Sequence, residues 1–131
     1  MTRTILFVCF GNSGRSQMAE AFFNKLSKDW RAVSAGTNPD KKMHPLTLMV
    51  MREIGIDVSK QKPKKVALKM MEEADKIVVI GVGTDFIPEK YLYKVERWEI
   101  EELYRRPIVK IREIRDQIRE KVEELIRELE H

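Results

Sequence analysis

The chain has 131 residues, with 25 Lys and Arg against 21 Asp and Glu, a net charge of +4 and 43% hydrophobic residues. That length supports one compact core and excludes two ordinary domains. No run approaches the roughly 20 apolar residues that span a bilayer, and Met1-Thr-Arg-Thr leads into an apolar run without a signal-peptide plan, so a soluble cytoplasmic protein without a membrane partner is expected. A single cysteine excludes an intrachain disulfide, which suits a reducing compartment. No basic run is interleaved with aromatics in the manner of a nucleic-acid platform, so no nucleic-acid partner is expected. Abundant Lys, Arg and Glu beside three Asn and three Gln is the balance of heat-adapted, thermophile proteins.

In chain order, Thr4-Ile-Leu-Phe-Val8 is a β-branched, apolar run that reads as a buried strand ending at Cys9. The small-residue loop Phe10 to Gly14 follows, and Arg15-Ser16 opens a helix whose Met18, Ala19, Phe22, Phe23 and Leu26 form one apolar stripe. Arg31 to Ala35 reads as a second strand ended by the turn Gly36-Thr-Asn-Pro39, and the strand–helix–strand unit implies a right-handed crossover. Pro45 starts a second helix that runs to Ile54 before Gly55, with His44 as a loop or capping residue. Lys60 to Lys65 is a basic, solvated loop. Lys65 to Glu73 reads as a short helix, Lys76 to Ile80 as a third strand, Tyr93 to Arg97 as a fourth.

Gly81-Val-Gly-Thr84 lacks the spacing and lysine of a nucleotide loop. After Pro107, the apolar positions Ile108, Ile111, Ile114, Ile118, Val122, Leu125 and Leu129 trace a long amphipathic helix. Leu129-Glu130-His131 has the composition of the start of a purification tag and carries no functional weight. The pattern specifies an α/β fold: a single domain over residues 1–131, with one open four-stranded parallel sheet, helices on both faces and a ligand crevice at the strand carboxyl ends.

Cys9 lies at such an end. A cysteine closing a buried strand is by default an inert small hydrophobe, but here a glycine-containing loop and a helix start follow it. Five residues between Cys9 and Arg15 allow one tight loop whose amides face inward around a phosphate-sized anion, with the Arg15 guanidinium closing the ring. Those dipoles and the Ser16 hydroxyl favour thiolate over thiol, which makes Cys9 a nucleophile. Gly11 and Gly14 are expected to permit backbone conformations that a side chain resists, and Asn12 to tolerate a left-handed one.

The stretch Val8-Cys9-Phe10-Gly11-Asn12-Ser13-Gly14-Arg15-Ser16 resembles the active-site loop of low-molecular-weight protein tyrosine phosphatases. Its continuation Gln17-Met18-Ala19-Glu20 is most similar to their relatives, the thioredoxin-coupled arsenate reductases. Ser34-Ala-Gly-Thr37, His44-Pro45, Gly55-Ile-Asp-Val-Ser59 and the Trp98 region extend the resemblance over nearly the whole chain. It implies that residues 10–16, namely Phe10, Gly11, Asn12, Ser13, Gly14, Arg15 and Ser16, bind phosphate, and that Cys9, Arg15 and Ser16 are catalytic. Where the phosphatases carry an acidic Asp-Pro-Tyr segment, this chain reads Glu102-Leu103-Tyr104. Glu102 is thereby the expected general acid, Glu101 the alternative, and Tyr104 the residue that stacks on an aromatic substrate.

The reductases need two further cysteines, and at their places stand Val82 (or Gly81) and Ile87; Gly14 replaces a third thiol common to both groups. The expected activity is therefore hydrolysis of phosphotyrosine or other aryl phosphate monoesters through a phosphocysteine, with a phosphoprotein or small aryl phosphate as substrate and phosphate and arsenate as oxyanion ligands. The alternatives are an arsenate reductase using an external thiol and an oxyanion-binding or redox-sensing module. A cation site of the reductases maps onto Asn12, Glu20, Ser34 and an acidic residue near Pro63. Lys64 or Lys65 stands at that last place, so an ammonium group is expected where the cation lies, with no metal and no cofactor.

Overall fold

The structure, a computed structural model, describes residues 2–130. The expected sheet is present: β1 (Arg3–Cys9), β2 (Trp30–Gly36), β3 (Lys76–Ile80) and β4 (Val95–Trp98) lie in the order β2-β1-β3-β4, all pairs parallel. β1 is central, and Ile5 to Val8 are fully buried. A parallel strand covered on both faces reads as a continuous apolar run, which is what Ile5-Leu-Phe-Val8 shows.

Side chains alternate between two cores. Ile5, Phe7 and Cys9 of β1, with Val78 and Ile80 of β3, point into the larger one, shared with α1 (Arg15–Leu26), α2 (Pro45–Arg52) and α4 (Ile108–Leu129). Leu6, Val8, Ile77 and Val79 point the other way, against α3 (Leu68–Glu73) and the segment around Ile87. Phe7 anchors the larger core, with ring centroids 5.9 Å from Phe23 and 5.7 Å from Trp98.

α2 has its expected start at Pro45 and stops at Arg52, two residues short of the expected Ile54, in a turn that closes on Gly55. His44 is its N-cap, Nδ1 accepting from the Leu46 amide at 3.1 Å, and Pro45 follows at the first helical position. Gly55, at φ +81, ends the turn, with the Ile56 amide donating back to the Met51 carbonyl at 3.0 Å. On α4 the predicted stripe is buried from Ile111 to Leu125 and partly buried at Ile108 and Leu129, and a charged clip joins the two helices. Glu53, one residue beyond α2, accepts from Arg112 at 2.6 Å and from Arg115 at 2.9 Å.

Three other elements differ from the sequence expectation. The fourth strand starts at Val95, not Tyr93, because Glu89–Lys94 form a 3-10 helix that carries Tyr93 out into solvent. The short helix starts at Leu68, because Lys65 instead makes a parallel bridge to Gly36. At the chain end, Leu129 packs against the larger core and the Glu130 carboxylate accepts from the Ser27 hydroxyl and from the amides of Lys28 and Asp29, the latter two at 3.1 and 3.0 Å. These contacts tie the end of α4 to the α1–β2 turn; His131, the last of the three residues given no weight, lies outside the described residues.

Candidate active site: an inward-facing loop around Cys9

The loop between β1 and α1 is defined by where its carbonyls go. Those of Cys9, Phe10, Gly11 and Ser13 accept from the amides of Thr37, Asn38, Asp40 and His44 at 3.0, 2.8, 2.9 and 3.2 Å. The Asn12 carbonyl accepts from Gln17 Nε2 at 3.0 Å and the Gly14 carbonyl from the Met18 amide at 2.9 Å. In a planar trans peptide the carbonyl and the next N–H point opposite ways. Six consecutive carbonyls committed to the surrounding protein therefore turn the amides of residues 10–15 toward the common centre. α1 has no side-chain cap and no acidic residue in its first turn, so its N-terminal amides and dipole are open to the same centre.

Asn12 makes the turn possible. It takes the left-handed conformation, φ 51, as its residue type allows. Its buried side chain is fixed on every side: Nδ2 donates to Ser16 Oγ at 2.7 Å and Ser34 Oγ at 3.0 Å, while Oδ1 accepts from Gln17 Nε2 at 3.1 Å and the Lys64 amide at 3.0 Å. The Ser16 hydroxyl, which accepts from Asn12, lies 2.8 Å from Cys9 Sγ, within hydrogen-bond reach of the sulfur. Ser16 thus stands behind the sulfur and not in the cleft wall.

Neither Gly11 nor Gly14 uses the left-handed region; Gly14 stands at φ −137 and ψ −97, and both positions are also crowded. A Cβ on Gly11 would meet Asp40 Oδ2 at 2.6 Å, and one on Gly14 would meet Leu103 Cδ1 at 2.5 Å.

A cleft of about 360 Å³ opens over this loop. Residues 9–15 form its floor, and Asp40, His44, Glu102, Leu103 and Tyr104 its walls. Arg15 is 7% exposed, and its Nη1 donates to the Ile100 carbonyl at 2.7 Å, which leaves the rest of the guanidinium fork for a ligand. Glu102 and Tyr104 are both exposed at the mouth, with Arg105 5.2 Å over the tyrosine ring. Glu101, the alternative acid, is turned away: it pairs with Lys110 at 3.0 Å and Arg106 at 3.4 Å. The Lys110 hydrogen bond holds its carboxyl below the usual range, the opposite of what a proton donor requires.

Three residues in or behind the cleft wall escaped the sequence reading. Asp40 accepts from the Ser13 hydroxyl and braces the loop at the cleft wall. Gln17, fully buried, latches the basic loop to this one, donating to the Lys62 carbonyl at 3.1 Å. Leu103, 6% exposed, stands in the cleft wall against Gly14. Only Asp40 carried a signal, as an acidic residue directly after a turn.

At the positions mapped onto a cation site, burial pushes the Glu20 carboxyl up, against a Ser34 hydrogen bond and the Lys64 charge that pull it down. Lys65 instead donates to the Thr37 carbonyl, so of the two lysines Lys64 is the one that faces Glu20. Asn12 presents its NH₂ to Ser34, and its oxygen is already taken by two donors, so this set does not fit a metal ion.

A parallel α/β sheet with an inward-facing anion loop at the carboxyl end of its central strand defines a class of oxyanion-handling proteins. The sequence matches the low molecular weight phosphotyrosine protein phosphatase family over residues 4–131, and the chain belongs to that family. A glutaredoxin arsenate reductase of Synechocystis sp. is 32% identical over 126 residues, 95% of this chain and 96% of its own. The low molecular weight protein tyrosine phosphatase of T. tengcongensis superposes with a TM-score of 0.86 at 26% identity, over 97% of this chain and 99% of that one. An arsenate reductase in a phosphate-binding state superposes with a TM-score of 0.84 at 29% identity, over 97% and 98%.

Proposed function

We propose that the chain is a cysteine-dependent phosphatase acting on phosphotyrosine or other aryl phosphate monoesters. The observation that carries this reading is the set of six outward carbonyls, which turns the loop amides inward beside Cys9. The Cys9 thiolate attacks phosphorus in line with the ester oxygen while the inward amides and Arg15 hold the equatorial oxygens. Glu102 gives its proton to the departing phenolate as the P–O bond breaks and the P–S bond forms. Water, deprotonated by the same carboxylate, then attacks phosphorus, the P–S bond breaks, and inorganic phosphate leaves with the thiolate restored. Tyr104, at the mouth, offers a ring face to an aromatic substrate.

Cys9→Ser is expected to abolish hydrolysis of p-nitrophenyl phosphate, and Arg15→Lys to remove most of it, because an ammonium cannot make the paired clamp. Near wild-type turnover in either variant overturns the assignment. A catalytically silent, oxyanion-binding or redox-sensing module predicts no turnover by the wild type.

A second reading, arsenate reduction, is favoured by the names of several relatives, one of them a glutaredoxin arsenate reductase. With a single cysteine, the two electrons that convert arsenate to arsenite require an external thiol to attack the Cys9 adduct. The expected outcome is competitive inhibition of the phosphatase by arsenate and no arsenite formed with thioredoxin alone. Robust thioredoxin-dependent arsenite production without glutathione overturns the phosphatase reading, and arsenite formed only with glutathione or glutaredoxin moves the primary activity to the second.

A further inference from the structure

The segment between β4 and α4 carries Glu102 over the cleft without belonging to any helix or strand. A loop that must deliver a carboxyl to within hydrogen-bond reach of a leaving group needs fixed points close to that residue. Two are present, one on either side. Before Glu102, the Ile100 carbonyl accepts from Arg15 Nη1. After it, Leu103 drops back into the larger core, 6% exposed between two exposed neighbours, and sits against the bare α-carbon of Gly14. A Cβ on Gly14 would come 2.5 Å from Leu103 Cδ1 and 3.2 Å from its Cγ, so the leucine occupies the volume that any larger residue at position 14 would claim. The Arg106 amide donates to the Leu103 carbonyl at 3.1 Å, turning the chain away directly afterwards.

The geometry points to Leu103 as a positioning residue: seated on Gly14, it fixes the height and direction of the Glu102 carboxyl above Cys9. The inference rests on Glu102 being the general acid of the proposed phosphatase. Leu103 touches no substrate in this role; it acts through the residue before it. Gly14 and Leu103 form a matched pair, the absent side chain of one making the socket for the other. A proline between acid and aromatic would restrict such a loop through its ring, whereas here a buried contact to the phosphate-binding loop does so. The acid loop is therefore indexed to the nucleophile's own loop and moves with it.

The test uses kcat/KM, which reports the step that forms the phosphocysteine, on two esters: phenyl phosphate, whose leaving group needs a proton, and p-nitrophenyl phosphate, whose leaving group does not. Leu103→Ala is expected to lower kcat/KM for phenyl phosphate by about tenfold or more, within the roughly 10²–10⁴-fold that a general acid contributes. For p-nitrophenyl phosphate the loss should stay below about threefold, since that ester draws little on the acid. The inhibition constant of inorganic phosphate, which reads the loop alone, should stay within about twofold because no acid is involved in binding it. Leu103→Met, which keeps the buried volume, should retain activity on both esters.

In a Glu102→Gln background, Leu103→Ala should cost nothing further on phenyl phosphate, because a residue that works only through Glu102 has no acid left to position. If Leu103→Ala lowers both esters equally, weakens phosphate binding, or adds its full effect to that of Glu102→Gln, the inference is overturned while the phosphatase stands. If Glu102→Gln itself shows no selective loss, the acid assignment falls and this inference falls with it. Loss of all activity in Cys9→Ser with none of these patterns altered elsewhere leaves the nucleophile assignment standing independently of both.

Discussion

Gly81 closes β3 at φ +68, where its amide donates to the Trp98 carbonyl at 3.0 Å, and it lies directly under the arginine of the loop. A methyl there would come within 2.1 Å of Arg15 Nη1 and 3.2 Å of the Ile100 carbonyl oxygen, in a backbone conformation that already disfavours a side chain. Gly81→Ala is expected to unseat the guanidinium and to raise the inhibition constant of phosphate by about 10- to 100-fold, the worth of one or two charge-assisted hydrogen bonds. Gly83→Ala is the control, since nothing lies within 4 Å of its position, and isothermal titration with phosphate separates the two. At this scale the sequence was informative about chemistry and poor about packing. Cys9, Asn12, Arg15 and Ser16 declare themselves by residue type and spacing. What Gly14 and Gly81 are for depends on Leu103 and Arg15, neighbours brought by the fold, and no local pattern encodes that.

Between elements, the clip from α2 to α4 gives a pH signature. The Arg112 hydrogen bond, with smaller help from Arg115, holds the Glu53 carboxyl below its ordinary value of 4.5. A carboxyl depressed by folding adds stability above its unfolded pKa and loses it as pH falls through the lower folded value. Glu53→Gln should therefore lower Tm at pH 7, with the difference shrinking as pH falls below 4.5 toward the lower folded value and in high salt, because the group is exposed and screened. A Tm deficit that persists undiminished at pH 3 would assign the effect to packing. The helices themselves were legible: α4 runs from Ile108 to Leu129 because its stripe holds register and Pro107 marks its start. The fourth strand was less so, since Tyr93 has strand propensity but the turn from Glu89 to Lys94 holds it in a 3-10 conformation.

The molecule as a whole is one sheet between two unequal cores, and β1 contributes to both. Phe7→Ala on the larger side should cost about 3–5 kcal/mol and Leu6→Ala on the smaller about 2–5 kcal/mol. Because adjacent residues of one strand carry the two cores, tryptophan fluorescence and far-UV circular dichroism should report a single coincident urea transition in both variants, and separated transitions would refute the coupling. The architecture was readable because an unbroken apolar run, a crossover helix and a second apolar run leave few alternatives. The clasp of Glu130 on Ser27 was not, since a charged residue near a helix end has no sequence mark of a distant partner. The separation of the site's two halves along the chain also bears on how it is made. Every residue that receives a loop carbonyl, from Gln17 to His44, is within 35 positions of Cys9, whereas Ile100, Leu103 and α4 follow all the strands. At roughly 5–20 residues per second, the ribosome delivers the partners of the loop carbonyls several seconds before the acid loop. Because β1 needs β3 beside it, Asn12 needs the Lys64 amide and Arg15 needs the Ile100 carbonyl, the cradle closes only when the later half has arrived, so the anion site and the acid loop are completed together.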